Sequence, residues 1–84
     1  MTVTANLNFP NTAASTSNDL TVTVTGASPG DVVALGIPNA AVSANSTYTA
    51  WVSAANTVTI RFNNYSGGSI DPAAGTFRVS VLKY

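Results

Sequence analysis

Apolar and polar side chains alternate with a period of two along most of this 84-residue chain. Such a pattern belongs to extended backbone, in which successive side chains point to opposite faces of a sheet. It is clearest between Tyr48 and Asn63, where two strands meet at a tight connection. In the second of them Val58, Ile60 and Phe62 share one face, and Thr57, Thr59 and Arg61 share the other. The first carries Trp51, the one tryptophan of the chain. Loop length decides where its indole points. A three-residue loop, Ala54-Ala55-Asn56, sets Asn56 in the left-handed conformation that asparagine tolerates. Thr57 then pairs with Ser53, Val58 with Val52, and Trp51 lies outward, opposite Thr59 and beside Arg61. A two-residue loop, Ala55-Asn56, reverses the parity and sends Trp51 opposite Ile60 into the core. The outward register is favoured, and Arg61 would then suit a cation–π contact with the indole.

The same alternation recurs on either side. Thr2 to Phe9 sets Val3, Ala5, Leu7 and Phe9 against Thr4, Asn6 and Asn8, and Pro10 ends it. Asn11 to Asp19 is a Ser/Thr/Asn/Ala run expected to form a surface loop. Leu20 to Thr25 directs Leu20, Val22 and Val24 inward. Pro29-Gly30 is ordered for a type II turn, because glycine accepts the positive φ that follows proline. Asp31 to Ile37 is apolar on both faces, which predicts a central strand covered on both sides. Asn39 to Thr47 is expected as loop, and Asn64 to Pro72 as a long turn around Gly67-Gly68. The last strand, Thr76 to Tyr84, turns Phe77, Val79 and Val81 inward. Short strands at close spacing without helical periodicity predict an all-β fold. The expected architecture is a small antiparallel β-sandwich of about six to seven strands, immunoglobulin-like or a related Greek key, over one domain spanning 1–84. Strand order is not readable from the pattern.

Composition narrows the function. Charged residues make up 7% of the chain, with three Lys or Arg against three Asp, where an ordinary soluble domain has about 25%. So little charge gives weak protection against association. Either the abundant Thr, Ser and Asn keep the surface soluble, or much of it is covered in an assembly. A chain of this length buries only roughly 60% of its unfolded surface on folding, so a staple is useful. Without Cys or His, disulfides, thiolate or imidazole metal sites and the commonest general base are all excluded. Arg61, Arg78 and Lys83 are too few for a phosphate-neutralising cluster, so no nucleic acid is expected as partner. The start of the chain has neither the basic region nor the apolar run of a signal peptide, and no membrane span is expected.

The carboxylates Asp19, Asp31 and Asp71 each stand where turn chemistry explains them, because Asp readily accepts hydrogen bonds from nearby backbone N–H groups. No acidic cluster offers calcium its several oxygens. No base stands ready to activate a hydroxyl. The chain is therefore expected to be no enzyme, with no cofactor and no metal. Asn45-Ser46-Thr47 and Asn64-Tyr65-Ser66 match the N-glycosylation pattern and are taken as chance matches in an Asn- and Thr-rich chain. Among the aromatics, Tyr48 and Phe62 are assigned to the core. Trp51, Tyr65 and Tyr84 are open between core and a contact surface.

The phrases TVTGASPGD, AWVSAANTVTIRF and IDPAAGTFRVSV, within Leu20 to the C terminus, resemble a small β-domain of tailed-bacteriophage virion proteins. That domain occurs in head-decoration and head-fibre proteins and at the ends of tail fibres. The resemblance implies a non-enzymatic virion module, usually trimeric, with no catalytic residues to transfer. Met1 opens almost directly into the first strand, which suits a free-standing decoration (cement) protein better than a fibre tip. The expectation is a homotrimer on the outer surface of the major capsid protein lattice, made in the cytoplasm of the host bacterium and residing in the virion. Trp51, Arg61, Tyr65 and Tyr84 are the residues expected at subunit or capsid contacts. The alternatives are a receptor- or glycan-binding fibre tip and an immunoglobulin-like module of a bacterial surface protein.

Overall fold

A computed structural model describes residues 1–83; the expectation for Tyr84 lies outside the described residues. Six strands follow one another as β1 (Thr2–Leu7), β2 (Ser17–Thr23), β3 (Val32–Gly36), β4 (Ser46–Ala54), β5 (Thr57–Asn64) and β6 (Gly75–Leu82). They form two antiparallel three-stranded sheets, in the orders β1-β6-β3 and β2-β5-β4. The fold is the expected small all-β sandwich. Its neighbour relations are those of an immunoglobulin-type sandwich, with β2-β5-β4 in the places of strands B-E-D and β3-β6 in those of C-F. The N-terminal strand β1 fills the place that the last strand, G, holds there.

The alternating positions build the core. Val58, Ile60 and Phe62 of β5 and Phe77, Val79 and Val81 of β6 are each at most 1% exposed. These are the two middle strands, so each is flanked by a neighbour on both sides. Phe9, Tyr48, Phe62 and Phe77 meet in edge-on and tilted contacts at centroid separations of 5.1–6.2 Å, the arrangement that the ring quadrupoles favour. The Tyr48 hydroxyl donates to the Ala41 carbonyl oxygen at 2.9 Å, so the one polar tip of this cluster is satisfied. Burial pushes its phenol pKa above the ordinary value.

The focal hairpin takes the outward register. Asn56 has φ 61°, Val52 pairs with Val58, and Trp51 with Thr59. The loop itself is corrected: Thr57 registers with Ala54 instead of Ser53, so the connection is the two-residue Ala55-Asn56 and not Ala54-Ala55-Asn56. A bulge between Val52 and Ala54 absorbs one residue and keeps Trp51 outward. At Pro29-Gly30, Gly30 has φ 95° and the Asp31 N–H donates to the Ser28 carbonyl at 3.1 Å. This is the type II turn read from the sequence.

Three further expectations are corrected. The segment from Asp31 to Ile37 is an edge strand, since β3 pairs with β6 alone, and Val32 and Ile37 remain 45% and 38% exposed. Its apolar outer face consists of Val32 beside Leu82 and of Ala34 and Gly36, small residues that need no cover. Second, β2 begins at Ser17, so Asn18 and Asp19 belong to the sheet and pair with Phe62 and Arg61. Third, β4 begins at Ser46, and the preceding segment contains a 3₁₀ turn at Asn39–Ala41.

Candidate functional site

The outer face of β2-β5-β4 collects most of the residues singled out in the sequence. Pairing registers arrange it in rows across the sheet: Thr23 with Thr57; Thr21 with Thr59 and Trp51; Asp19 with Arg61 and Thr49; Ser17 with Asn63 and Thr47. Nearly every position is a hydroxyl or an amide. Trp51 is 38% exposed, and the Arg61 Cζ lies 4.8 Å from the centroid of its ring, within cation–π range. Arg61 stands diagonally across from Trp51 on the neighbouring strand, a separation that long and aromatic side chains can bridge.

Arg61 is itself held. Its Nε donates to Asp19 Oδ1 at 2.8 Å, and its second guanidinium nitrogen donates to Oδ2 at 3.0 Å. This bidentate pairing fixes the plane of the guanidinium, and the plane in turn covers the indole. Asp19, Arg61 and Trp51 thus form one ordered unit across three strands. Sequence reasoning placed Asp19 in a turn and missed this role. The signal was present, because the alternation of β2 continues backward through Ser17 and Asp19 on the face of Thr21 and Thr23. What was lacking was the knowledge that β2 lies beside β5.

Toward the far end of the face the Asn63 amide approaches the Thr47 and Thr49 hydroxyls at 3.5 and 3.4 Å. The Thr47 hydroxyl donates to the Tyr65 hydroxyl at 3.4 Å. Tyr65 is 66% exposed, the most exposed of the large apolar side chains. Beside it, Ser15, Thr16, Ser17, Asn63, Asn64 and Tyr65 line an open groove of about 280 Å³ that contains no charged group. The structure therefore brings Trp51, Arg61 and Tyr65 to one face, with Trp51 at one end and Tyr65 at the other.

Tyr65 follows Asn64, which the sequence analysis noted only as a chance glycosylation match. Asn64 is 1% exposed. Its Nδ2 lies within donating distance of the carbonyl oxygens of Thr12, Ala13 and Gly68, at 3.0, 3.3 and 2.9 Å. Its Oδ1 accepts from the Ser66 N–H and hydroxyl at 2.9 and 2.6 Å. A buried amide with these partners anchors both loops that frame the groove.

The remaining charges are structural or stand apart. Lys83 Nζ meets Asp31 Oδ2 at 2.6 Å and reaches the Gly26 carbonyl at 3.1 Å, tying the C-terminal end to the Pro29-Gly30 turn. The hydrogen bond from Arg61 holds the Asp19 pKa below its ordinary 3.8, and Lys83 followed by the Ser28 N–H does the same for Asp31. Carboxylates with depressed folded-state pKa values contribute stability above their unfolded pKa, and that contribution is lost as pH falls through the folded value. The chain has no histidine. Its thermal midpoint is thus expected to stay nearly flat from pH 8 to about pH 5 and to decline below about pH 4. The decline is expected to be small, because exposed ion pairs are screened by solvent. Asp19→Asn removes part of it. A steep midpoint change between pH 5 and 8 in a thermal scan would contradict this.

Comparisons with protein families, with curated proteins and with solved structures find no match for this chain.

Proposed function

We propose that this protein is a non-enzymatic virion structural module, a capsid decoration protein acting as a homotrimer on the outer surface of the major capsid protein lattice. The reading rests on the sequence phrases that resemble phage virion domains. The observation that carries it further is the outer face of β2-β5-β4. There an ordered Trp51–Arg61–Asp19 unit and an exposed Tyr65 share a surface otherwise made of hydroxyls and amides. Aromatic and arginine side chains are the usual anchors of protein contacts. Locking their rotamers beforehand lowers the entropy cost of binding. A trimer that engages three equivalent positions multiplies a modest single-site affinity, which suits a small chain with limited contact area.

Trp51→Ala is expected to leave the fold intact at a cost of about 1–3 kcal/mol, because it removes the cation–π contact and the covered part of the indole, which is 38% exposed. The same change should weaken binding to shells at least tenfold, the cost of losing an anchor residue. Circular dichroism and co-sedimentation on one sample separate the two effects. Loss of the fold would place Trp51 in the core.

The groove beside Tyr65 favours a second reading, a glycan-binding tip module. Its aromatic ring and uncharged hydroxyl and amide lining are groups that stack on and hydrogen-bond neutral sugars. A glycan array with the isolated protein discriminates: a decoration protein gives no signal that depends on Tyr65, and a tip module loses its signal on Tyr65→Ala.

A further inference from the structure

The few charges of this chain are used in pairs. Its side chains carry three cations, Arg61, Arg78 and Lys83, and three carboxylates, Asp19, Asp31 and Asp71. Two pairs close within the chain, Arg61 with Asp19 and Lys83 with Asp31. Among the described residues the third pair does not close: Arg78 and Asp71 are both exposed, and neither has an ion partner.

Both are presented on rigid supports. Arg78 stands in the middle strand β6, between Thr4 of β1 and Gly36 of β3. Gly36 leaves room for its stem: a Cβ there would lie 3.2 Å from Arg78 Cβ and 3.9 Å from Cγ. The rest of that outer face is Thr2, Thr4, Asn6, Ala34, Thr76 and Ser80, with the Val32–Leu82 pair at one end, so Arg78 is its one charge. Asp71 projects from the loop before β6. On one side Thr12 and Ile70 exchange backbone hydrogen bonds of 2.8 and 2.9 Å. On the other side Pro72 is buried. The backbone that carries the exposed Asp71 is thereby held on both sides.

We infer that the outer face of β1-β6-β3 is the contact between copies of this chain, with Arg78 of one copy pairing with Asp71 of a second. Charge complementarity selects a second copy as occupant: the chain is neutral overall, and among the described residues its one cationic side chain and one carboxylate side chain without an ion partner match each other. The exposed Val32 and Leu82, both 45% exposed, add apolar surface to the same face. A single guanidinium in an uncharged field meets a carboxylate without a competitor, and bidentate pairing sets the orientation. This inference deepens the assembly part of the proposed function and leaves the face of Trp51 and Tyr65 available for the shell.

Charge reversal tests it. Sedimentation velocity over a dilution series is run on the wild type, Arg78→Asp, Asp71→Arg and the double variant, with circular dichroism to confirm folding. Both side chains are exposed, so all four are expected to fold; Asp71→Asn serves as a milder variant if Asp71→Arg does not. The wild type is expected to sediment as more than one chain. Each single reversal should weaken association at least ~30-fold, and the double variant should recover it. A monomeric wild type, single reversals that keep the wild-type mass, or a folded double variant that stays monomeric would each overturn the contact. Shell binding measured on the same samples keeps the readings distinct. A monomer that binds shells sinks this contact alone, and an oligomer that ignores them sinks only the decoration reading.

Discussion

Asn64→Ala is expected to destabilise the folded domain by about 2–3 kcal/mol, although it removes only one small polar side chain. The residue is 1% exposed, and its amide joins the segment around Thr12 and Ala13 to the turn at Ser66 and Gly68. Truncation withdraws the acceptor of the Ser66 N–H and the shared donor of three carbonyls inside a site too well packed to rehydrate freely. For a chain of this length the total stability is roughly 4–13 kcal/mol, so the loss is a large share of it. Asn64→Asp is the informative companion. It keeps the shape and the acceptor but sets a carboxylate against those carbonyl oxygens. It should be at least as destabilising at neutral pH and partly recover on acidification, when protonation returns a donor. Urea unfolding of the three proteins at pH 7 and at pH 4 measures this. An Asn64→Ala midpoint equal to the wild type would show that the amide is not the anchor of these loops.

Phe77→Ala is expected to cost about 3–5 kcal/mol, in the range of buried aromatic truncations. Phe77 is 0% exposed and packs against Phe9 and Tyr48 at 6.0 and 5.2 Å. It sits on the middle strand β6, so its neighbours on β1 and β3 cannot collapse into the space without breaking their ladders. The variant should unfold at a markedly lower urea midpoint than the wild type. Phe77→Leu, which retains most of the volume, should stay folded with a smaller loss. A Phe77→Ala protein that unfolds at the wild-type urea midpoint would contradict the placement of the core.

These two residues differ in how far the sequence revealed them. Phe77 stands in the plain alternation of Phe77, Val79 and Val81, and its burial follows from period two alone. The outward direction of Trp51 was anticipated, but not its cause: the connection is the two-residue Ala55-Asn56, and a bulge between Val52 and Ala54, which no local pattern announces, restores the parity of β4. Asn64 was not legible. Its partners lie in segments far away in sequence, and only the pairing of β2 with β5 brings the Thr12–Ala13 segment to it. The same non-local pairing hid the contact between Asp19 and Arg61. The edge position of β3 was missed for a different reason. A strand that is apolar on both faces suggests cover on both, yet Ala34 and Gly36 are small enough to face solvent at little cost. Local alternation therefore identified the strands and their inner faces, whereas the adjacency of strands across the two sheets set the site.

The most direct test of the proposed decoration role is co-sedimentation with phage capsid shells that lack a decoration protein, taken from the phage that the proposal would make the source of this chain. Wild-type protein is expected to pellet with the shells to a saturating stoichiometry, and folded Trp51→Ala protein to remain largely in the supernatant. Wild-type protein that stays in the supernatant, or a Trp51→Ala variant that saturates the shells equally well, would contradict the proposal that this face meets the capsid.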